Sequence, residues 1–332
     1  MRTPPNPRPV ERSRAVVAVA LAALVVPVGC SAPEEDAGPS TEAPSTSSRP
    51  TTPEASSDSP STPSQSSTKS STSGTAGRGA CTIAAAGDVA GDDFEEGAAL
   101  TAALISSRRP RAVVAVGDTA YEEGSSDDYA DYYDPTWGAF QDITLPVPGN
   151  HEYETSGGAG FAEYFGQEAL SNRSVDMCGW RLVLVNEYAG MEEAASFITQ
   201  QAGTRPLVVV WHEPRFSSGD EHGSDPEMQP LWEAAVAAGA AIVLNGHDHD
   251  YERFAPLDAE GNPVSGGTTE FVTGLGGHHV RDFSDIEAHS EARFTGTPAV
   301  LFLTLRRRGY SWEEQTVDGR VVDAGRATVT PQ

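Results

Sequence analysis

Long apolar runs are missing from this 332-residue chain. The longest, from Ala15 to Val28, falls short of the about 20 apolar residues that a membrane-spanning helix needs. Positive charge is also scarce. Lys and Arg number 22 against 48 Asp and Glu, a formal net charge of -26. Nucleic acids and anionic membranes reward clustered Lys and Arg, so no nucleic-acid-binding surface is expected. The three cysteines, Cys30, Cys81 and Cys178, make none of the paired spacings of a cysteine-based metal site. No internal repeat is present, which argues against solenoid and propeller arrays.

What the amino terminus does contain reads as an export segment. Arg2, Arg8, Arg12 and Arg14 stand against the single acid Glu11, and the short apolar run follows. The run ends Val26-Pro27-Val28-Gly29-Cys30, which resembles a bacterial lipoprotein cleavage site, although Pro27 stands where an aliphatic residue is usual. Residues 1–29 are thus expected to be a signal peptide. Cys30 would carry the lipid and be the chain's sole contact with a membrane, giving a cell-surface lipoprotein. The alternative is an ordinary signal peptide, a chance cysteine and a secreted product. Residues 31–78 are mostly Ser, Thr and Pro. They offer too little apolar surface to offset the entropy of ordering, so residues 30–78 are expected to be a disordered linker. Folding is expected from residue 79 to 332. Cys81 and Cys178 then remain as an even pair in an exported chain, which suits a disulfide, with two free buried thiols as the alternative.

Within 79–332, short apolar runs alternate with amphipathic stretches. Strands are expected at 81–86, 112–116, 143–147, 180–185, 207–211, 240–244, 271–273 and 300–305. Helices are expected at 94–106, 230–238 and 129–140. Continuous runs such as Leu207-Val208-Val209-Val210 suit strands covered on both faces, and the strand–helix–strand alternation argues for a layered α/β domain.

Polar residues fall just beyond those strands: Asp88, Asp118, Asn150, His212 and His247. In open α/β sheets, sites form where loops converge at the carboxyl ends of strands. The segments are Gly87-Asp88, Gly117-Asp118-Thr119-Ala120-Tyr121, Gly149-Asn150-His151-Glu152, Trp211-His212 and Gly246-His247-Asp248-His249. Taken in order they resemble the calcineurin-like metallophosphoesterases. The run Gly246 to Arg253, with Asp250-Tyr251-Glu252, narrows the resemblance to members similar to purple acid phosphatases. The resemblance implies a layered αββα sandwich and makes 79–332 a metallophosphoesterase catalytic domain. It also implies two metal ions: Asp118 as the bridge, Asp88, Tyr121 and His249 on the first, and Asn150, His212 and His247 on the second. Carboxylate and imidazole suit iron, zinc or similar ions. Where the broader superfamily has a histidine two places after the first aspartate, this chain has Ala90. Tyr121 covers that deficit, and a hard tyrosinate oxygen favours iron there, with iron, zinc or manganese at the other position.

The implied reaction is hydrolysis of a small phosphoester, a monoester as in acid phosphatases, by attack of metal-bound hydroxide. Bound cations would also supply the local positive charge that so acidic a chain needs. His151 is the candidate for positioning substrate, and His222 for contacting phosphate or protonating the leaving group. The neighbouring position, often a second histidine in plant members, is Glu221. A phosphodiesterase or nucleotidase would use the same metals, and a non-catalytic surface binding protein on this fold is the reading from another class. Arg253 is expected to tie the Asp250–Glu252 loop to the body, His278 and His279 to be a surface loop pair, and Trp137 and Trp180 to fill the core. Oligomeric state is not legible.

Overall fold

The computed structural model describes residues 79–92 and 95–329. The signal peptide, Cys30, the linker and Phe94 lie outside the described residues. Thirteen strands follow in order: β1 (Cys81–Ala86), β2 (Ala112–Val116), β3 (Thr144–Val147), β4 (Arg173–Met177), β5 (Trp180–Leu184), β6 (Leu207–Val210) and β7 (Ala240–Asn245). After them come β8 (Tyr251–Phe254), β9 (Thr269–Thr273), β10 (Ser290–Phe294), β11 (Ala299–Arg306), β12 (Gly309–Thr316) and β13 (Val321–Thr328). They form two mixed sheets, ordered β13-β12-β11-β1-β2-β3 and β10-β8-β9-β7-β6-β5-β4.

Alternation along the central strands creates the layers. Val114 and Val116 face inward with Leu182, Leu184, Val208, Val210, Ile242 and Leu244, and together they fill the space between the sheets. Val113 and Ala115 point the other way, into a second core with Ile105, Trp137 and Phe302 under the helix Glu95–Arg108. Val209 and Val243 likewise face a third core, with Ile198 and Trp232 from the helices Met191–Thr199 and Gln229–Ala237. Strands covered on both faces carry no polar face, which is why they read as continuous apolar runs. The result is the expected αββα sandwich, with Trp137 and Trp180 fully buried.

One expectation changes. A single helix over 129–140 does not form. A five-residue turn of π-helix, Tyr129–Tyr133, and a 3-10 helix, Trp137–Ile143, take its place. Pro135 lies between them, and a proline inside a helix removes a hydrogen bond. As expected, Arg253 anchors the segment it follows: it pairs with Asp323 of β13 in the other sheet at 2.7 Å, the carboxylate that also accepts from Tyr251, and with Glu291 of β10 beside it.

Cys81 and Cys178 are disulfide-bonded. The bond joins the start of β1 in one sheet to the β4–β5 turn of the other.

Candidate metal centre

Strands β1, β2 and β3 are mutually parallel, as are β5, β6, β7 and β9. Their carboxyl ends therefore share one end of the sandwich, and the five motif loops leave from there. Asp88, Asp118 and His247 take left-handed backbone conformations with φ of 61°, 47° and 71°. Such conformations are costly for residues with a β-carbon and cluster at functional sites. Two glycines permit the close approach. A β-carbon on Gly117 would lie 2.2 Å from His212 Nδ1, and one on Gly149 2.2 Å from Asp118 Oδ1.

Two groups of side chains result, sharing Asp118. In the first, Tyr121 Oη lies 3.0 Å from Asp88 Oδ1, 3.3 Å from Asp118 Oδ2 and 3.4 Å from His249 Nε2. His249 Nε2 lies 3.4 Å from Asp88 Oδ1. In the second, Asp118, His212 and His247 each offer one atom, all within 4.8 Å of one another. His212 Nε2 sits 3.2 Å from Asp118 Oδ2, yet out of hydrogen-bonding alignment, so among the described residues this buried nitrogen makes no hydrogen bond. The buried Asn150 Oδ1 has none either. A buried polar atom without a hydrogen bond is costly, and a bound cation would engage both.

Surrounding groups set the proton positions. His212 Nδ1 faces the Val116 carbonyl at 2.8 Å and His249 Nδ1 faces the His279 carbonyl at 3.0 Å. A carbonyl only accepts, so each Nδ1 carries a proton and each Nε2 is the ring atom turned to the site. Burial alone would lower His212, but Asp118, Asp88 and Glu187 hold it well above its ordinary value, so its Nε2 keeps a proton that a bound cation would displace. Burial, with His212 and His222 beside it, pushes His247 down to about 2, leaving a neutral imidazole. Burial alone would raise the Asp118 carboxyl, but His212, His151 and His247 hold it below its usual range. Burial, Asp118 and Asp88 push the Tyr121 phenol well above its ordinary value. An ionised Tyr121 therefore requires a cation in the pocket. Buried imidazoles, two carboxylates, an amide oxygen and a phenol around shared space fit such cations.

Glu152 fixes the loops. Its Oε2 accepts from the backbone N–H of Asp118 at 3.0 Å and Gly149 at 2.6 Å. Its Oε1 accepts from Thr119 N at 2.7 Å, Thr119 Oγ1 at 2.8 Å and Tyr129 Oη at 3.0 Å. Glu187 Oε1 likewise accepts from the backbone N–H of His212 at 2.8 Å.

Both expected catalytic histidines reach the site. His151 donates its backbone N–H to Asp118 Oδ1 at 3.0 Å, and its Nε2 lies 4.0 Å from Asp118 Oδ2. His222 stacks on His247 with ring centroids 4.0 Å apart. Its Nε2 accepts from Arg281 at 2.9 Å, and Arg281 also pairs with Glu221 at 2.9 Å. The expectation of a surface pair at His278 and His279 fails for His278. It is buried, with ring centroids 4.2 Å from both Tyr121 and His249. The glycines before it allow the cause: Gly276 N donates to the Gly87 carbonyl and His278 N to the Asp88 carbonyl, drawing the loop under the site.

The family model for calcineurin-like phosphoesterases matches residues 81–251, from β1 through the Gly246–His249 loop. This chain belongs to the calcineurin-like phosphoesterase family. Its similarity runs toward the purple acid phosphatases within that family. Purple acid phosphatase 21 of Arabidopsis thaliana is 30% identical over 162 residues, covering 39% of this chain and 37% of its own length. Purple acid phosphatase 15 of the same plant is 27% identical over 190 residues, covering 43% and 36%. The phosphoesterase thus spans little more than a third of the curated relatives it matches. Among solved structures, a purple acid phosphatase from yellow lupin (Lupinus luteus) seeds superposes with a TM-score of 0.60 at 18% identity, over 75% of this chain and 54% of that one. GAP50, the anchor in the inner membrane complex of Plasmodium, has a TM-score of 0.60 at 14% identity, over 76% and 90%. At those identities the likeness is of fold alone.

Proposed function

We propose that this phosphoesterase is an extracytoplasmic, dinuclear-metal hydrolase of phosphate monoesters. The observation that carries the reading is the pair of side-chain groups meeting at Asp118, with Asn150 Oδ1 and His212 Nε2 buried beside it without a hydrogen bond among the described residues. Asp88, Tyr121 and His249 would hold one cation and Asn150, His212 and His247 the other, with Asp118 between them. Iron suits the Tyr121 side, and iron, zinc or manganese the other. When bound, such a pair of ions supplies an acidified water and charge for the oxygens of an in-line displacement.

The chain's own residues provide orientation. His151, its backbone held by Asp118, presents its ring at the rim of the pocket, where it can hydrogen-bond a phosphoryl oxygen. His222 lies over His247 with its Nε2 committed to Arg281, so the neutral ring carries its proton on Nδ1. The export segment and Cys30 support a place outside the cytoplasm. Among the described residues no helix is long and apolar enough to cross a membrane. The non-catalytic alternative has no support from the site, where every candidate ligand position is filled.

The test is phosphate release from an aryl phosphate and from a bis-aryl phosphate by the metal-replete chain, beside Asn150→Ala. Monoester turnover that disappears in the variant bears the proposal out. Turnover of the diester alone replaces the substrate class. No turnover by protein holding two metals per chain overturns the hydrolase reading.

A further inference from the structure

The net charge of -26 predicts repulsion from any anionic surface, but the charge is not evenly spread. At the end of the sandwich opposite the metal centre, five exposed arginines, Arg109, Arg111, Arg307, Arg308 and Arg326, have no acidic partner within salt-bridge distance among the described residues. Strand register puts them together. Arg111 precedes β2, and its N–H donates to the Thr82 carbonyl at the start of β1. Arg307 and Arg308 form the β11–β12 turn, and Leu305 just before them is paired with Cys81. Arg326 of β13 lies opposite Ser311, whose hydroxyl accepts from Arg306 at 2.9 Å. Arg306, Arg308 and Arg326 line one shallow depression with Ser311 and Trp312. The acids Asp176 and Glu313 at this end are already paired with Arg181, Arg205 and Arg108. Asp142 before β3, and Asp258 and Glu260 after β8, lie at the flanks.

This is also the end at which the amino-terminal 78 residues join the domain, because β1 begins here at Cys81 and runs toward the metal centre. Those residues carry the basic start, the apolar run and Cys30. A central strand spans about 17–20 Å, roughly two Debye lengths at physiological salt. The acidic loops of the far end are therefore screened from a surface that meets the arginines.

We propose that this arginine-bearing end docks on an anionic phospholipid surface, which turns the metal centre away from the bilayer and toward solvent. Arginines near such a surface each strengthen binding about fivefold. The inference does not depend on the chemistry proposed for the metal centre.

Full-length Cys30→Ser protein, which cannot carry an acyl chain, is compared with the same protein bearing Arg307→Gln, Arg308→Gln and Arg326→Gln. Both are sedimented with phosphatidylglycerol-containing vesicles and with pure phosphatidylcholine vesicles. Any contribution of the amino-terminal residues is common to the two proteins. The triple variant should partition about 100-fold less onto the anionic vesicles, with no change on the neutral ones and an unchanged thermal midpoint. High salt should release the parent. If the midpoint falls, Arg109→Gln with Arg111→Gln serves instead, with a loss of about 25-fold expected. Equal partitioning of parent and variant overturns the proposal. So does a parent that binds soluble polyphosphate but no vesicle, which would assign the patch to a polymer.

Discussion

Glu152 offers the sharpest test of how the metal centre is built, because it contacts no candidate metal directly yet holds two of the loops that would. Glu152→Gln preserves volume and exchanges one acceptor oxygen for a donor. If the amide nitrogen takes the Oε2 position, the N–H groups of Asp118 and Gly149 lose their acceptor. If it takes the Oε1 position, the hydroxyls of Thr119 and Tyr129 can turn to accept, and only Thr119 N is stranded. The second arrangement costs less. One buried N–H without a partner costs about 1–3 kcal/mol, and weakened hydroxyl bonds bring the expected loss to about 2–3 kcal/mol. Glu152→Ala strands all three N–H groups at about 3–9 kcal/mol, enough to unfold a domain of ordinary stability. Urea unfolding of the metal-free Glu152→Gln protein measures the first loss. Metal titration should show affinity about 10–100-fold lower, the usual effect of disturbing groups that orient ligands. Stability within about 0.5 kcal/mol of the parent, with unchanged metal affinity, would refute the idea that this carboxyl organises the centre.

Tyr121→Phe removes the phenol that sits between Asp88, Asp118 and His249; in iron-loaded protein the visible charge-transfer band should vanish, and a persisting band excludes Tyr121 as its source. Reducing the Cys81–Cys178 bond, which closes a loop of 97 residues, should cost about 4–5 kcal/mol by the chain-entropy model, read as a shift in the urea midpoint with and without reductant. Burial raises Glu270 to about 8, against the opposing backbone N–H bonds of Arg215 and Phe216. The folded state therefore holds a proton that the unfolded chain releases near pH 4.5, so this group's contribution to stability falls as pH rises from there to about 8 and then levels. Glu270→Gln should flatten the urea midpoint across that window, and an unchanged slope would show that Glu270 is ionised in the folded protein.

The central strands were legible because burial on both faces leaves a continuous apolar run that needs no partner to be recognised. Val113 to Val116 and Leu207 to Val210 carry that signal alone. Strands β12 and β13, next to the edge and at the edge of their sheet, carry a weaker one. In β12, Gly309-Tyr310-Ser311-Trp312-Glu313-Glu314-Gln315-Thr316 mixes polar and aromatic residues although all are buried or half-buried, and the fully buried Glu314 runs against any apolar pattern. β13 lies at the edge of its sheet, with exposed residues along its length. Nothing local marks either as a strand until β11 supplies the ladder for β12, and β12 the ladder for β13.

The metal centre divides along the same line. Its candidate ligands directly follow strong strands, so residue type and position pointed to them together. The groups that orient them come from elsewhere in the chain. Glu187 reaches forward to His212 across 25 residues, and Glu152 back across 34 to Asp118. His278 is the instructive failure. Beside His279 and after three glycines in four residues, it has the local composition of a surface loop. Yet those glycines let the backbone pass against the Gly87–Asp88 turn, where a β-carbon on Gly276 would lie 2.3 Å from the Gly87 carbonyl oxygen. A glycine run beside a histidine is therefore ambiguous in sequence: a flexible turn and a loop pressed under a metal centre use the same residues. The distinction lies in what the backbone meets, and in this chain it meets the turn that carries Asp88.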